Sequence, residues 1–210
     1  MRHTEIIIIG SGLAGSTAAA MLGRAGIDAV VIDPHETYPT DLRCEKLDGP
    51  QIAILRRTGV ADLVLPATAK SETLWIARYG RLIDRKPDGL QHGILYDSLV
   101  NTVRAAIPAN VTRLFAKATN ATTSDDRQVV TTSDGEEISA RLIVLANGLN
   151  LTVRHQLGLQ RIERSRCHSI TIAFDITPVG RASFDFPALT YYPESPRDRA
   201  AYLTLFPVPG

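Results

Sequence analysis

The chain is poor in cysteine, in tryptophan and in net charge. Its two cysteines, Cys44 and Cys167, match no zinc spacing and no disulfide framework, and they read as reduced thiols in a cytoplasmic protein. Lys plus Arg is 23 and Asp plus Glu is 22, a formal net charge of +1. That balance leaves no electrostatic footprint for nucleic acid or for an anionic membrane surface. Long apolar runs are also missing. The run Ile6-Ile7-Ile8-Ile9 is shorter than the roughly 7–15 residues of a secretory apolar segment. No stretch approaches the roughly 20 residues of a membrane-spanning helix. His3, His35, His92, His155 and His168 form no ligand spacing, so no metal site is expected. Ser11 and Ser16 lack the setting of a nucleophile elbow, which argues against serine hydrolase chemistry.

What is present is a globular composition, 44% hydrophobic against 21% charged over 210 residues. A chain of this length buries roughly 70% of its unfolded surface and needs no staple. Residues 5–9 form a continuous β-branched run, as in a strand buried on both faces. Residues 14–25 read as a helix of small residues ended by Gly26, and 29–32 as a second buried strand leading to Asp33. Together they make a β-α-β unit.

Between strand and helix lies Gly10-Ser11-Gly12-Leu13-Ala14-Gly15. In such a loop the first glycine permits the tight turn, the second lets backbone approach a pyrophosphate, and the third lets helix pack on strand. The helix N-terminus then meets the phosphates with free N–H groups and the positive end of its dipole. Asp33 follows Gly10 at close to the expected interval of about 20 and can accept hydrogen bonds from a ribose. This pattern binds ADP, which NAD and FAD share, and the Asp33 carboxylate argues against NADP in the same pocket.

A second segment follows the apolar strand at 142–145: Ala146-Asn147-Gly148-Leu149-Asn150-Leu151-Thr152-Val153-Arg154, then Leu157-Gly158-Leu159. It resembles the A-D-G-x-x-S-x-V-R-x-x-L-G segment of the FAD-dependent aromatic hydroxylases, flavoprotein monooxygenases of the p-hydroxybenzoate hydroxylase type. Arg43-Cys44-Glu45-Lys46-Leu47 with Gln51 resembles that family's R-x-x-x-L stretch. Tyr96-Asp97-Ser98-Leu99 with Val103 resembles its helix that begins with an Arg. The resemblance implies FAD, held by Gly10, Ser11, Gly12, Leu13, Ala14, Gly15, Asp33, Arg43, Gln51, Asn147 and Gly148. It also implies NAD(P)H as co-substrate and hydroxylation of an aromatic or electron-rich small molecule with O2. The cofactor carries that chemistry, so no catalytic acid or base is nominated. Alternatives are a flavin-dependent reductase or dehydrogenase of the same fold, or a non-catalytic FAD-binding fragment. Asn147 stands at the family's Asp, Leu151 at its Ser and Tyr96 at its Arg. The family's later G-D-A-A-H-like signature is absent, so the expectation is that a C-terminal portion is missing; a homodimer stays open.

The remaining signals complete the expected order. Asp48 caps a helix with Pro50 in its first turn and Gly59 past its end. Residues 71–77 and 81–84 form a hairpin around Tyr79-Gly80, and 97–107 form a helix stopped by Pro108. Residues 128–132 and 137–140 flank the turn Ser133-Asp134-Gly135, and 142–145 is a separate strand. Strands are expected at 169–176, 188–192 and 201–206. The fold class is α/β: a Rossmann-like FAD-binding domain over 1–160, and the start of a mainly antiparallel β substrate layer over 161–210, to which 71–95 contribute. Cys44 is expected to be a buried, inert thiol, Trp75 to fill core or line the substrate side, and Arg161, Arg164 and Arg166 to form a solvated face.

Overall fold

The structure is a computed structural model that describes every residue except 167, 194, 196, 198 and 210, so Cys167 lies outside the described residues. In chain order the strands are β1 (Arg2–Ile9), β2 (Ala29–Ile32), β3 (Cys44–Leu47), β4 (Ala69–Ser71), β5 (Leu74–Arg78), β6 (Arg81–Lys86), β7 (Gln91–Leu95), β8 (Thr112–Leu114), β9 (Ala118–Thr123), β10 (Gln128–Thr132), β11 (Glu137–Leu145), β12 (Leu189–Tyr192) and β13 (Leu203–Leu205). The helices are α1 (Leu13–Arg24), α2 (Gly49–Arg57), α3 (Ala61–Val64), α4 (Tyr96–Ala105) and α5 (Thr152–Gln156). They divide into two compact units, Met1–Thr40 with Val100–Thr171, and Asp41–Leu99 with Ile172–Gly210.

The first unit is built on a six-stranded sheet of order β8-β2-β1-β11-β10-β9. Its β8, β2, β1 and β11 run parallel, and the β10–β9 ribbon completes it antiparallel. Side chains of a strand alternate between faces, and both faces of β1 are covered here. Ile7 and Ile9 join Val30, Ile32, Val130, Ile138 and Val153 on one side. On the other, Ile8 packs with Val31 and with Ala19 of α1. This is the α/β architecture with a parallel sheet that the strand–loop–helix pattern implies.

Two expected strands, 137–140 and 142–145, are one continuous strand, β11. Its partner explains this: β1 matches it without a shift from Arg2↔Ile138 to Ile9↔Leu145, and Arg141 simply faces outward. The Ser133-Asp134-Gly135 turn forms as expected, with Gly135 at φ +86°. There the Thr132 hydroxyl donates to the Asp134 carboxylate and holds it below the usual carboxylate range.

The second unit holds a three-stranded antiparallel sheet, β3-β7-β4, and a four-stranded sheet, β13-β12-β5-β6, in which β12 lies parallel to β5. The hairpin β5–β6 turns at Tyr79 and Gly80, both at positive φ, as a two-residue connection requires. Residues 169–176, expected as a strand, carry no regular structure. Their alternating Ile170 and Ile172 are about four-fifths exposed and find no ladder, and without one the alternation has no face to bury. Among the described residues no helix is long and apolar enough to cross a membrane.

Candidate functional site

In the first unit the loop Gly10 to Gly15 leaves the carboxyl end of β1, where β2 and β11 also end. Open α/β sheets bind ligands at that edge. Gly10 sits at φ +99°, and a Cβ there would lie 2.6 Å from the carbonyl oxygen of Ala146. A Cβ on Gly15 would meet backbone even more closely, so helix, loop and β11 touch main chain to main chain. Gly12 is the opposite case: nothing lies within 4 Å of its Cβ position. It is the N-cap of α1, which begins with no side-chain cap and no acidic residue in its first turn. The first N–H groups of a helix have no intrahelical acceptor, and the positive end of the dipole lies behind them. Leu13 and Ala14 open that turn, while buried Ser11 braces the loop, its hydroxyl 3.0 Å from that of Ser16.

Asp33 ends β2 beside this loop. Its Oδ2 accepts from the Ser11 N–H at 2.8 Å and its Oδ1 from the His35 N–H at 2.9 Å. Arg104 Nη2 lies 3.3 Å from Oδ1. Arg104 is 4% exposed, and it donates through Nε to the Ser11 carbonyl at 2.7 Å and through Nη1 to those of His35 and Glu36 at 2.7 and 3.1 Å. Burying a charge is costly unless it is paired and hydrogen-bonded, and these acceptors meet part of that cost, while Nη2 is buried with no hydrogen-bond partner among the described residues.

The end of β11 completes this edge. Gly148 takes φ +56°, and Asn147 Nδ2 donates to the Asn150 carbonyl at 2.9 Å. Asn147 Oδ1 is buried with no hydrogen-bond partner among the described residues. Buried acceptors are rarely left so, and this one marks a place for a ligand donor or a water.

The other expected contacts lie in the second unit. Arg43 forms an ion pair with Asp41, Nη2 to Oδ2 2.7 Å, and stacks over the Tyr96 ring at 3.9 Å. The hydrogen bond from Arg43 holds Asp41 below the usual carboxylate range. Gln51 takes the N3 place of a capping box, its Oε1 accepting from the Asp48 N–H at 3.3 Å. Cys44, expected to be buried, is exposed, because it opens the short strand β3. Its thiol is nevertheless pushed up, first by partial desolvation and then by Glu45 and Asp175, which keeps it protonated. Trp75 is half-buried under the Arg85 guanidinium. Arg161, Arg164 and Arg166 are exposed, the last 3.8 Å from Glu163.

The same unit contains a cavity of about 790 Å³, within the range of small-molecule sites. Four of the chain's five phenylalanines line it, Phe174, Phe184, Phe186 and Phe206, with Lys70, Asp175 and Asp185 as charged groups. Behind it, β7 lies against the chain's last residues, and a Cβ on Gly93 would come within 1.9 Å of the Pro207 carbonyl oxygen.

Residues 3–209 match the family described as FAD binding domain. The chain belongs to that family. This FAD binding domain is 27% identical over 178 residues to a menaquinone reductase of Mycobacterium tuberculosis, covering 80% of this chain and 43% of that protein. It is 24% identical to a 6-hydroxynicotinate 3-monooxygenase of Bordetella bronchiseptica, covering 97% of this chain and 59% of that one. The chain thus spans about half the length of the curated relatives it matches. Among solved structures, p-nitrophenol 4-monooxygenase from Pseudomonas putida superposes with a TM-score of 0.67 at 21% identity, over 75% of this chain and 44% of that one. At that identity the likeness establishes the shared fold.

One residue of the FAD binding domain escapes the sequence reading altogether. Arg104 sits in an ordinary amphipathic stretch of α4 and carries no motif. Its nearest signal is a cation on a helix whose neighbours Val100 and Val103 are wholly buried, and that is too common to single it out.

Proposed function

We propose that this chain supplies the ADP-binding part of a flavin-dependent monooxygenase that hydroxylates an aromatic or electron-rich small molecule with NAD(P)H and O2. The observation that carries the reading is the open flank of Gly12 at the uncapped start of α1, with Asp33 beside it. The loop Gly10, Ser11, Gly12, Leu13, Ala14 and Gly15 would take the diphosphate, since an anion finds there N–H donors and no Cβ. Asp33 would accept from the adenosine ribose. Asn147 and Gly148 would border the flavin side, with Asn147 Oδ1 as a waiting acceptor. Arg43 and Gln51, which lie in the second unit, are proposed as FAD contacts on the family resemblance alone.

When bound, FAD supplies the redox and oxygen chemistry. What the protein contributes is binding, orientation and exclusion of water. The phenylalanine-lined cavity suits a flat apolar ring, with Lys70, Asp175 and Asp185 to read a polar edge. The scarcity of cysteine supports a cytoplasmic setting. A second reading, a flavin-dependent reductase or dehydrogenase, is favoured by the similarity to menaquinone reductase.

The test is in two stages. The purified protein is denatured and the released ligand chromatographed, or the apoprotein is titrated with FAD; FAD is expected, and recovery of NAD overturns the cofactor reading. The protein is then supplied with NAD(P)H and candidate aromatics. A hydroxylated product supports the monooxygenase, whereas oxidation of NAD(P)H with a reduced quinone as product supports the reductase.

A further inference from the structure

We propose that the phenylalanine-lined cavity selects an aromatic ring that carries an O–H or N–H donor, neutral or cationic, and disfavours a ring that carries a carboxylate. The inference deepens the monooxygenase reading above, on which the assignment of this cavity as its substrate site rests. The walls are largely aromatic, with the Phe184 and Phe186 rings stacked at 5.3 Å between centroids. A ring that enters is therefore sorted by the few charged and polar groups among them. Among the described residues Lys70 is the one cation that lines the cavity. Its Nζ lies 2.7 Å from Glu72 Oε1 and holds that carboxyl below the usual carboxylate range. Asp185 is engaged in the same way, by Arg181. The Asp175 carboxylate has neither a hydrogen bond nor an ion pair among the described residues.

The charge left over for a ligand is thus negative. Cys44 registers the same field. It lines the cavity, and after desolvation the groups that push its thiol up are Glu45 and Asp175, with no cation opposing them. Thr204 lines the cavity too, and its Oγ1 is buried with no hydrogen-bond partner among the described residues. A carboxylate on the ligand would meet Asp175 as a like charge and find Lys70 already paired. A phenol or an amine can instead donate to Asp175 in a charge-assisted hydrogen bond. Asp175 and Lys70 are both exposed, so water and salt screen the effect, and the contrast between ligands is modest and salt-dependent.

The probes are 2-naphthylmethylamine, 2-naphthol and 2-naphthoate, which share one ring system and differ in charge and donor. Each is titrated into the full chain with FAD supplied. Occupancy is read as protection of Cys44 from iodoacetamide, followed on the Cys44 peptide by mass spectrometry, so that binding elsewhere does not count. The amine is expected to protect at a concentration about fivefold below naphthoate, the size of one screened charge contact, with naphthol between them. In 1 M salt the contrast narrows. Asp175→Asn brings amine and naphthoate within about twofold, and the melting temperature stays, because that carboxylate holds no partner. Lys70→Gln keeps the wild-type order. Naphthoate that protects as well as the amine overturns the inference, as does a wild-type contrast in Asp175→Asn, a contrast indifferent to salt, or no protection by any of the three. The order is read without turnover. A chain that shows it and yields no hydroxylated product supports the inference and overturns the monooxygenase reading, whereas hydroxylation with the reverse order overturns the inference alone.

Discussion

A Cβ added to Gly15 would lie 1.9 Å from the carbonyl oxygen of Gly10, so helix α1 rests on the loop before it with no room for a side chain. The obstacle is backbone, which cannot swing aside. Gly12, three residues earlier, has no neighbour within 4 Å of the same position.

The same substitution should therefore act differently at these two sites. Gly15→Ala is expected to lower stability by about 1–3 kcal/mol, the usual cost of overpacking, and the melting temperature falls with it. Gly12→Ala should cost less, about 1 kcal/mol at most, because alanine is a poorer N-cap than glycine but its methyl meets no neighbour. It should still weaken FAD binding, because the added methyl occupies the open flank. Thermal melts and FAD titrations of both variants check this, and a Gly12→Ala protein with full FAD affinity would count against a ligand at that flank.

Asp33→Ala should weaken FAD binding by about 1.5–3 kcal/mol, or 10- to 150-fold. Part of that loss comes from the loop, because the Ser11 and His35 N–H groups lose their acceptor and Arg104 its counter-charge. Equilibrium dialysis measures the affinity. A change below about twofold in a folded variant would show that the carboxylate does not meet the ribose.

In the second unit, Gly93→Ala should prise the chain's last residues away from β7, where the Pro207 carbonyl and the Phe206 ring leave no space. The expected readout is faster proteolysis after residue 200 with β1 and α1 still protected. Unchanged cleavage would mean that the contact with Pro207 does not hold that segment.

His92 gives a pH dependence. Burial first, and Lys70 second, push its imidazole below the ordinary range. Its Nδ1 lies 2.7 Å from Thr68 Oγ1, whose own proton goes to the Leu65 carbonyl at 2.7 Å. The unfolded imidazole titrates near 6.5. Below that pH the unfolded chain binds more protons than the folded one, so stability falls as pH drops until the folded imidazole also protonates. Urea midpoints at pH 7.5 and 5.5 should show this fall. His92→Gln, which does not titrate, should reduce it, and an unchanged slope would exclude His92 as its source.

The parts of this structure that could be read in the sequence are local. The strand, glycine loop, helix and Asp33 lie within one β-α-β unit, where spacing dictates geometry. The Asp48 cap and the Tyr79-Gly80 and Ser133-Asp134-Gly135 turns are equally local. Arg104 could not be read this way, because its partners Ser11 and His35 lie 93 and 69 positions back along the chain. The alternation at 169–176 misled for a related reason: a pattern proposes a strand, and only a partner's ladder makes one. Cys44 was misjudged because an apolar-looking position at the start of a short strand can still face solvent.

The pairing of β1 with β11 joins residues 136 positions apart, as His3 and Ser139 show. During synthesis β1 leaves the ribosome well before β11, its second neighbour, which follows 136 positions later. Contacts that span so much chain are slow to form, because the intervening loop must be closed before they return any energy. Until then one edge of β1 is bare and Gly10 has no Ala146 to rest on. The packed glycine loop is therefore a late product of folding, and the nascent chain depends on whatever shields that apolar edge in the meantime.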